Sequence, residues 1–287
     1  MGGMGGGSGS SAEQACTAYA TALCNRVDVC IPYGTKAFSG DVATCISRYK
    51  LSCIPALGVP TTGATPSKLN ACAATLGTAS CASIREGTAG CQYAGTQAAG
   101  TGCGSNSQCA SAYCKYTTSP SCGVCANRVS NGGTCGSPAD CIDGSTCVSG
   151  VCRAKGAAGA SCGSTAPCGD GLFCASGQCA PAGTTAGAPC DFFDIDSCDY
   201  LSGLFCNSQD VCSVILLADA GKQCGISNTS VVFCSYNGTC QGTSTAGTCV
   251  AVVADGQPCN ATQGRNCHDP AICLNGVCTV VDPKTCN

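Results

Sequence analysis

Thirty-four of the 287 residues are cysteine, and nothing else in the chain limits its fold as strongly. That many thiols do not stay reduced and inert in a glutathione-buffered compartment, so they read as disulfides of an exported chain. The remaining composition agrees. Aromatic residues are 5%, tryptophan is absent, and 40 glycines and 12 prolines interrupt any long element. The large side chains that a single conventional core needs are scarce. The expected fold is therefore small and disulfide-rich, with several units held by staples rather than by burial.

The cysteines recur. Cys103, Cys135, Cys162, Cys190, Cys224 and Cys259 each follow a glycine by three residues, at Gly100, Gly132, Gly159, Gly187, Gly221 and Gly256. Their starts are 32, 27, 28, 34 and 35 residues apart, which is a tandem array over residues 96–287. The segments TCGSPADCIDGSTCVSGVC and SCGSTAPCGDGLFCASGQC share one spacing, C-x5-C-x5-C-x4-C. Ser149-Gly150, Ser176-Gly177 and Asn275-Gly276 lie midway between the last two cysteines and predict short β-hairpins. First-to-third and second-to-fourth pairing follows, because a third-to-fourth bridge only re-closes a hairpin that its turn already closes. The expected bonds are Cys135–Cys147, Cys141–Cys152, Cys162–Cys174 and Cys168–Cys179.

Residues 12–95 read differently, as a disulfide-linked helical domain behind a flexible Gly/Ser leader at 1–11. Ser11 and Gln14 fit a capping box, and Cys16, Tyr19, Ala20, Leu23, Val27 and Cys30 make one helical stripe. A second helix starts near Asp41, and a third runs from Thr65-Pro66 to Gly77. Facing residues of an antiparallel helix pair have a nearly constant index sum. Sums of 77 and 75 predict Cys24–Cys53 and Cys30–Cys45. The pairing of Cys16, Cys72, Cys81 and Cys91 stays open. So does that of Cys286, which either reaches back to the first repeat or bridges to another copy. An extended array, which separates its ends, favours the second.

The pattern Cys103-x5-Cys109-x4-Cys114-x7-Cys122-x2-Cys125 resembles the N-terminal cysteine-rich region of Dickkopf proteins. The layout as a whole, ACTAYATALCNRVDVC followed by GDVATC and then cysteine repeats, resembles secreted, often lipid-anchored proteins of myxobacteria and related bacteria. The resemblance implies an exported, surface-associated protein and brings no activity and no transferable site residue.

Several patterns are weighed for chemistry. Cys122-Gly123-Val124-Cys125 has redox or zinc spacing but lacks a βαβ context and a second ligand pair, so structural disulfides are expected. The lone His268, beside Asp269 and Pro270, reads as a surface loop residue with no catalytic partner. Asp191, Asp194, Asp196 and Asp199 supply oxygen at a density that suits calcium, yet the EF-hand pattern is missing. A solvated loop is expected there, with Phe192 and Phe193 making it a plausible contact loop. Asn228, Asn237 and Asn260 open glycosylation sequons. No cofactor, metal or catalytic site is expected. A net charge of −3 leaves no basic footprint for nucleic acid, and no apolar run is long enough to span a membrane.

What remains is contact. Val214, Ile215, Leu216 and Leu217, and likewise Val250, Val252 and Val253, are unusually apolar connectors. They read either as packing between repeats or as an interface with another chain. With charged residues at only 10%, little repulsion opposes association of copies. The expected function is an extracellular structural protein that self-assembles into a surface polymer or filament. The alternative is a monomeric cell-surface module that binds a protein or glycan.

Overall fold

In the computed structural model the described residues are 10–85, 91–116, 122–192, 194–227, 229–260 and 266–286. The chain is small and cysteine-rich, with a short helical region followed by many small antiparallel strand pairs. All 34 cysteines are bonded and none is free.

Local capping sets the helices. In α1 (Ala12–Cys30) the Ser11 hydroxyl accepts from the Gln14 N–H, and Gln14 returns a bond to the Ser11 N–H. A single turn, α2 (Pro32–Gly34), runs into a π-helical stretch over Thr35–Ser39. Asp41 caps α3 (Val42–Leu57), and Thr65 with Pro66 opens α4 (Pro66–Leu76). The short α5 (Cys81–Arg85) completes the group. Ser10 accepts a 2.7 Å hydrogen bond from Asn70 of α4, and residues 1–9 of the leader lie outside the described residues.

The helix pair is antiparallel, but its register corrects the expected bonds. Cys24 joins Cys45 rather than Cys53, and Cys53 joins Cys16. Both pairs have an index sum of 69, so the helices are displaced by about two turns from the expected alignment. The reason is spacing. Cys16 and Cys24 are eight residues apart, as are Cys45 and Cys53, and only equal spacings let two bridges share one register. Cys30 is thereby released to hold α5 through Cys81, and Cys72 joins Cys91.

Each of the six cysteine-rich units repeats one set of bonds. First joins third and second joins fourth: Cys135–Cys147 with Cys141–Cys152, and Cys162–Cys174 with Cys168–Cys179. The units beginning at Cys190, Cys224 and Cys259 follow the same order, and the first unit does so once its extra Cys122 is set aside, with Cys103–Cys114 and Cys109–Cys125. In each, the glycine three residues before the first cysteine donates its N–H to the carbonyl of the unit's closing cysteine, at 2.7–2.8 Å. Gly132 makes this bond to Cys152 at φ +88°, in the left-handed region that favours glycine. The hairpin tips Ser149-Gly150, Ser176-Gly177 and Asn275-Gly276 have positive φ at both residues, as a type I′ turn requires. The core of a unit is largely sulfur: Cys103, Cys109, Cys114 and Cys125 cluster as one buried group.

The connectors are part of these units. Val253 packs on Cys259, Ala271 and Cys278, and its N–H bonds Asn266 at 2.7 Å. Val250 pairs with Thr239, and Val252 is half-buried. The strand Leu216–Ala218 lies parallel to Val231–Cys234 at one edge of a five-stranded sheet. Leu217 is half-buried there and Ile215 is buried, while Val214 and Leu216 are 54% and 53% exposed.

The units are not an extended rod. They curl around the helical region, which acts as a hub. Gly63 donates to Ser107 of the first unit at 2.7 Å. Arg85 of α5 pairs with Asp199 of the fourth and donates to the Ser202 hydroxyl oxygen at 2.9 Å. The Asn237 N–H of the fifth bonds Ala37 at 2.7 Å. Arg48 of α3 grips Asp255 ahead of the sixth through both terminal nitrogens, at 2.6 and 2.9 Å, and reaches the carbonyls of His268 and Asp269. Wrapping brings the last turn, Pro283–Cys286, against Gly102 and Gly104 of the first unit. Cys286 accordingly bonds Cys122 within the chain, across 164 residues. The expected bridge to another copy is thus corrected, because the hub fixes the angle between units and turns the array into a ring.

Candidate functional site: an aromatic seam between hub and units

Most charged side chains at the junctions are used in holding them. Burial pushes the Asp199 carboxyl up, but hydrogen bonds from Ser202 and Arg85, with the Arg85 charge, outweigh it and hold the group below the usual carboxylate range. Asp140 is buried between the first two units. Burial again acts upward, and the Tyr113 hydroxyl, the Gly136 and Ser137 N–H groups and Lys115 together bring it down to about 2. His268 is buried rather than exposed, correcting the loop reading. Its ring lies 4.4 Å from that of Tyr236, and Nδ1 is 3.2 Å from the Tyr236 hydroxyl. Burial, then the Arg48 charge, lowers its imidazole below the ordinary range despite Asp255 and Asp269. These groups join modules.

The cysteine clusters with metal-like proximity are stacked disulfides, such as Cys103, Cys109 and Cys125. In the CxxC segment Cys122 bonds Cys286 and Cys125 bonds Cys109, so both thiols are used structurally. The aspartates of residues 191–199 do not converge on one point. Asp199 faces Arg85, Asp194 Oδ1 accepts the Asp196 N–H at 3.0 Å, and the Asp191 carbonyl accepts from the Ser197 hydroxyl at 2.9 Å. Asn237 lies on the hub seam and Asn260 is half-buried in the sixth unit. Asn228 and Phe193 lie outside the described residues.

What is left is a cleft. A 750 Å³ cavity opens between the fourth and fifth units, walled by Leu204, Phe205, Ile215, Val231 and Phe233 and rimmed by Phe192, Tyr200 and Ile226. Tyr200 and Phe233 also line a 200 Å³ lobe that includes Tyr33 and Phe38 of the hub. Phe38 and Asn237 in turn border a 380 Å³ lobe that includes Tyr49 and Arg48. Neighbouring lobes share lining residues and so adjoin along one seam. The rings meet edge to face: Tyr33 and Tyr200 at 6.1 Å, Tyr200 and Phe233 at 6.4 Å. Seven of the chain's 14 phenylalanines and tyrosines line it. In a molecule whose repeat units build their interiors largely from sulfur, this is where aromatic surface collects.

Among the described residues Asp196 is the one carboxylate lining the main cavity, and no lysine or arginine lines it. Partial desolvation, and then the neighbouring Asp194 charge, raise the Asp196 carboxyl above the usual range. The contact-loop signal in DFFDIDSCDY foreshadowed Phe192. Asp196 and Tyr200 line the cavity from that same segment and Ile215 from one of the apolar connectors, whereas Ile226, Val231, Phe233, Ser244 and Thr245 come from parts of the chain that no local pattern ties to it.

No family model, curated protein or solved structure matches this chain.

Proposed function

We propose that this is an extracellular binding module whose aromatic seam holds a ligand. The carrying observation is the concentration of aromatic side chains at that seam. A chain with few large apolar residues gains most by burying them, yet Phe192, Tyr200 and Ile226 stand 41–49% exposed at the rim of a cavity. Disulfide saturation supports the extracellular placement. Among the described residues no helix is long and apolar enough to cross a membrane. The likeness to Dickkopf and myxobacterial surface proteins is compatible with binding but assigns no ligand. The reading is non-enzymatic: the buried titratable groups serve as joints between modules.

Titration with the neutral apolar fluorophore N-phenyl-1-naphthylamine tests it. One site per chain is expected. The double substitution Phe192→Ser/Ile226→Ser should weaken it at least fivefold, because two exposed apolar walls lose roughly 1–2 kcal/mol of burial. Unsaturable uptake, or affinity indifferent to the double variant, refutes the reading.

Self-association into a surface polymer is the second reading, favoured by the exposed Val214 and Leu216 beside the outermost strand of the five-stranded sheet. Sedimentation tests it: a polymer should grow with concentration and be abolished by Leu216→Lys. A monomer at millimolar concentration removes this reading and leaves the first.

A further inference from the structure

The seam's charge pattern narrows the ligand. This inference rests on the binding reading above and deepens it. The main cavity is apolar over most of its wall, with Ser227, Ser244 and Thr245 as neutral polar contacts. Its single ionic group among the described residues is Asp196, which shares the rim with the exposed rings of Phe192 and Tyr200. Asp196 has no ion-pair partner within 4.0 Å among the described residues. The nearby arginine, Arg85, is committed to Asp199, Ser202 and the Cys30 carbonyl. Other carboxylates add to the same sign. Asp194 adjoins Asp196, and Asp210 Oδ1 accepts the Phe192 N–H at 3.3 Å, holding the base of the Phe192 loop.

We propose that the main cavity binds a small apolar cation, an alkyl or aryl amine or quaternary ammonium. Its body fills the cleft between the fourth and fifth units, and its charge sits at Asp196 beside Phe192 and Tyr200. Three features select this class. The 750 Å³ volume suits a small molecule. The apolar wall excludes a strongly hydrated ligand body. A carboxylate beside exposed aromatic faces attracts a cation by charge and by ring quadrupole, while it repels an anion of the same shape. A fatty carboxylate or alkyl sulfate meets the wrong sign at the rim. A neutral apolar molecule gains only the walls.

The test holds the body constant and changes the head. Full-length oxidised protein is titrated calorimetrically at low ionic strength with decyltrimethylammonium, 1-decanol and decyl sulfate, each below its aggregation or solubility limit. The cation should bind at one per chain, about tenfold more tightly than decanol, the combined effect of a rim ion pair and a cation–ring contact. Decyl sulfate should bind more weakly than decanol. Asp196→Asn should bring the cation to within twofold of decanol and leave decanol unchanged. Among the described residues the substitution removes no hydrogen bond that holds the loop, since Asp196 is bonded there through its backbone N–H. An unchanged thermal midpoint checks that. Phe192→Ser should weaken the cation and decanol together. Equal affinity for all three heads, or a cation preference that survives Asp196→Asn, overturns the proposal while leaving the apolar cleft as a binding site. Failure of all three to bind overturns the proposal and the reading beneath it.

Discussion

Removing the Cys122–Cys286 bond should cost this chain far more than the loss of one contact. The perturbation is the double substitution Cys122→Ser/Cys286→Ser, which opens the ring without leaving a free thiol. The bond closes a loop of 164 residues. The remaining disulfides shorten that path, because the unfolded chain still jumps from Cys135 to Cys147, Cys162 to Cys174, Cys190 to Cys206, Cys224 to Cys240 and Cys259 to Cys273. Roughly 100 residues of contour remain, for which loop closure is worth about 4.7 kcal/mol at 25 °C. In the folded state little changes. Pro283 still packs on Gly104, and Arg48 still holds the sixth unit to α3. The cost therefore arises in the unfolded ensemble, which becomes free to expand. The assay is guanidinium unfolding under non-reducing conditions, followed by the far-UV signal of the helical hub. Stability should fall by about 3–5 kcal/mol, and the oxidised chain in 6 M guanidinium should gain hydrodynamic radius. A loss under about 1 kcal/mol, with no expansion, refutes the ring.

Other perturbations address the joints and turns. Arg48→Met should destabilise the contact between α3 and the sixth unit by about 2–3 kcal/mol, since it strips Asp255 and two carbonyls of their donor; hydrogen exchange should rise in residues 266–278 before it rises in α1. Asp140 has a native pKa of about 2, depressed from its unfolded value, so its stabilisation is complete above about pH 4 and is lost as pH falls through 2. Asp140→Asn should flatten that acid limb and cost roughly 2 kcal/mol at neutral pH, read by unfolding at pH 7 and pH 2. Gly132→Ala should cost about 1 kcal/mol by backbone strain alone, because a Cβ there meets nothing within 4 Å at φ +88°, whereas D-alanine at that position should be neutral in a melting experiment.

The parts of this fold that are written locally are legible in the residues. Ser11 with Gln14, Asp41, and Thr65 with Pro66 announce the helix starts through the N–H groups they satisfy. The hairpin tips fix which two cysteines cross each unit, and so they fix the pairing of Cys141 with Cys152 and of Cys168 with Cys179. The hub register was equally present, in the matched eight-residue spacings of Cys16/Cys24 and Cys45/Cys53, but an index sum alone does not select it. The ring was not legible. It depends on contacts such as Arg48 with Asp255, 207 residues apart, whose partners carry no mark in the chain. The aromatic seam is hidden for the same reason, since Tyr33, Phe38, Phe205 and Phe233 meet only after the units have wrapped.

The bond from each opening glycine to its closing cysteine, made six times, uses main-chain atoms alone. A unit's boundary is therefore blind to the chemistry of its loops. The fourth and fifth units already accommodate longer first-to-third spans than the second and third, at separation 16 against 12, with the same closure. Such units act as interchangeable tiles on a common mount. A tile cut at its opening glycine and exchanged whole would carry its recognition surface with it, provided it brings the partner its place on the mount requires, as Asp199 of the fourth unit does for Arg85.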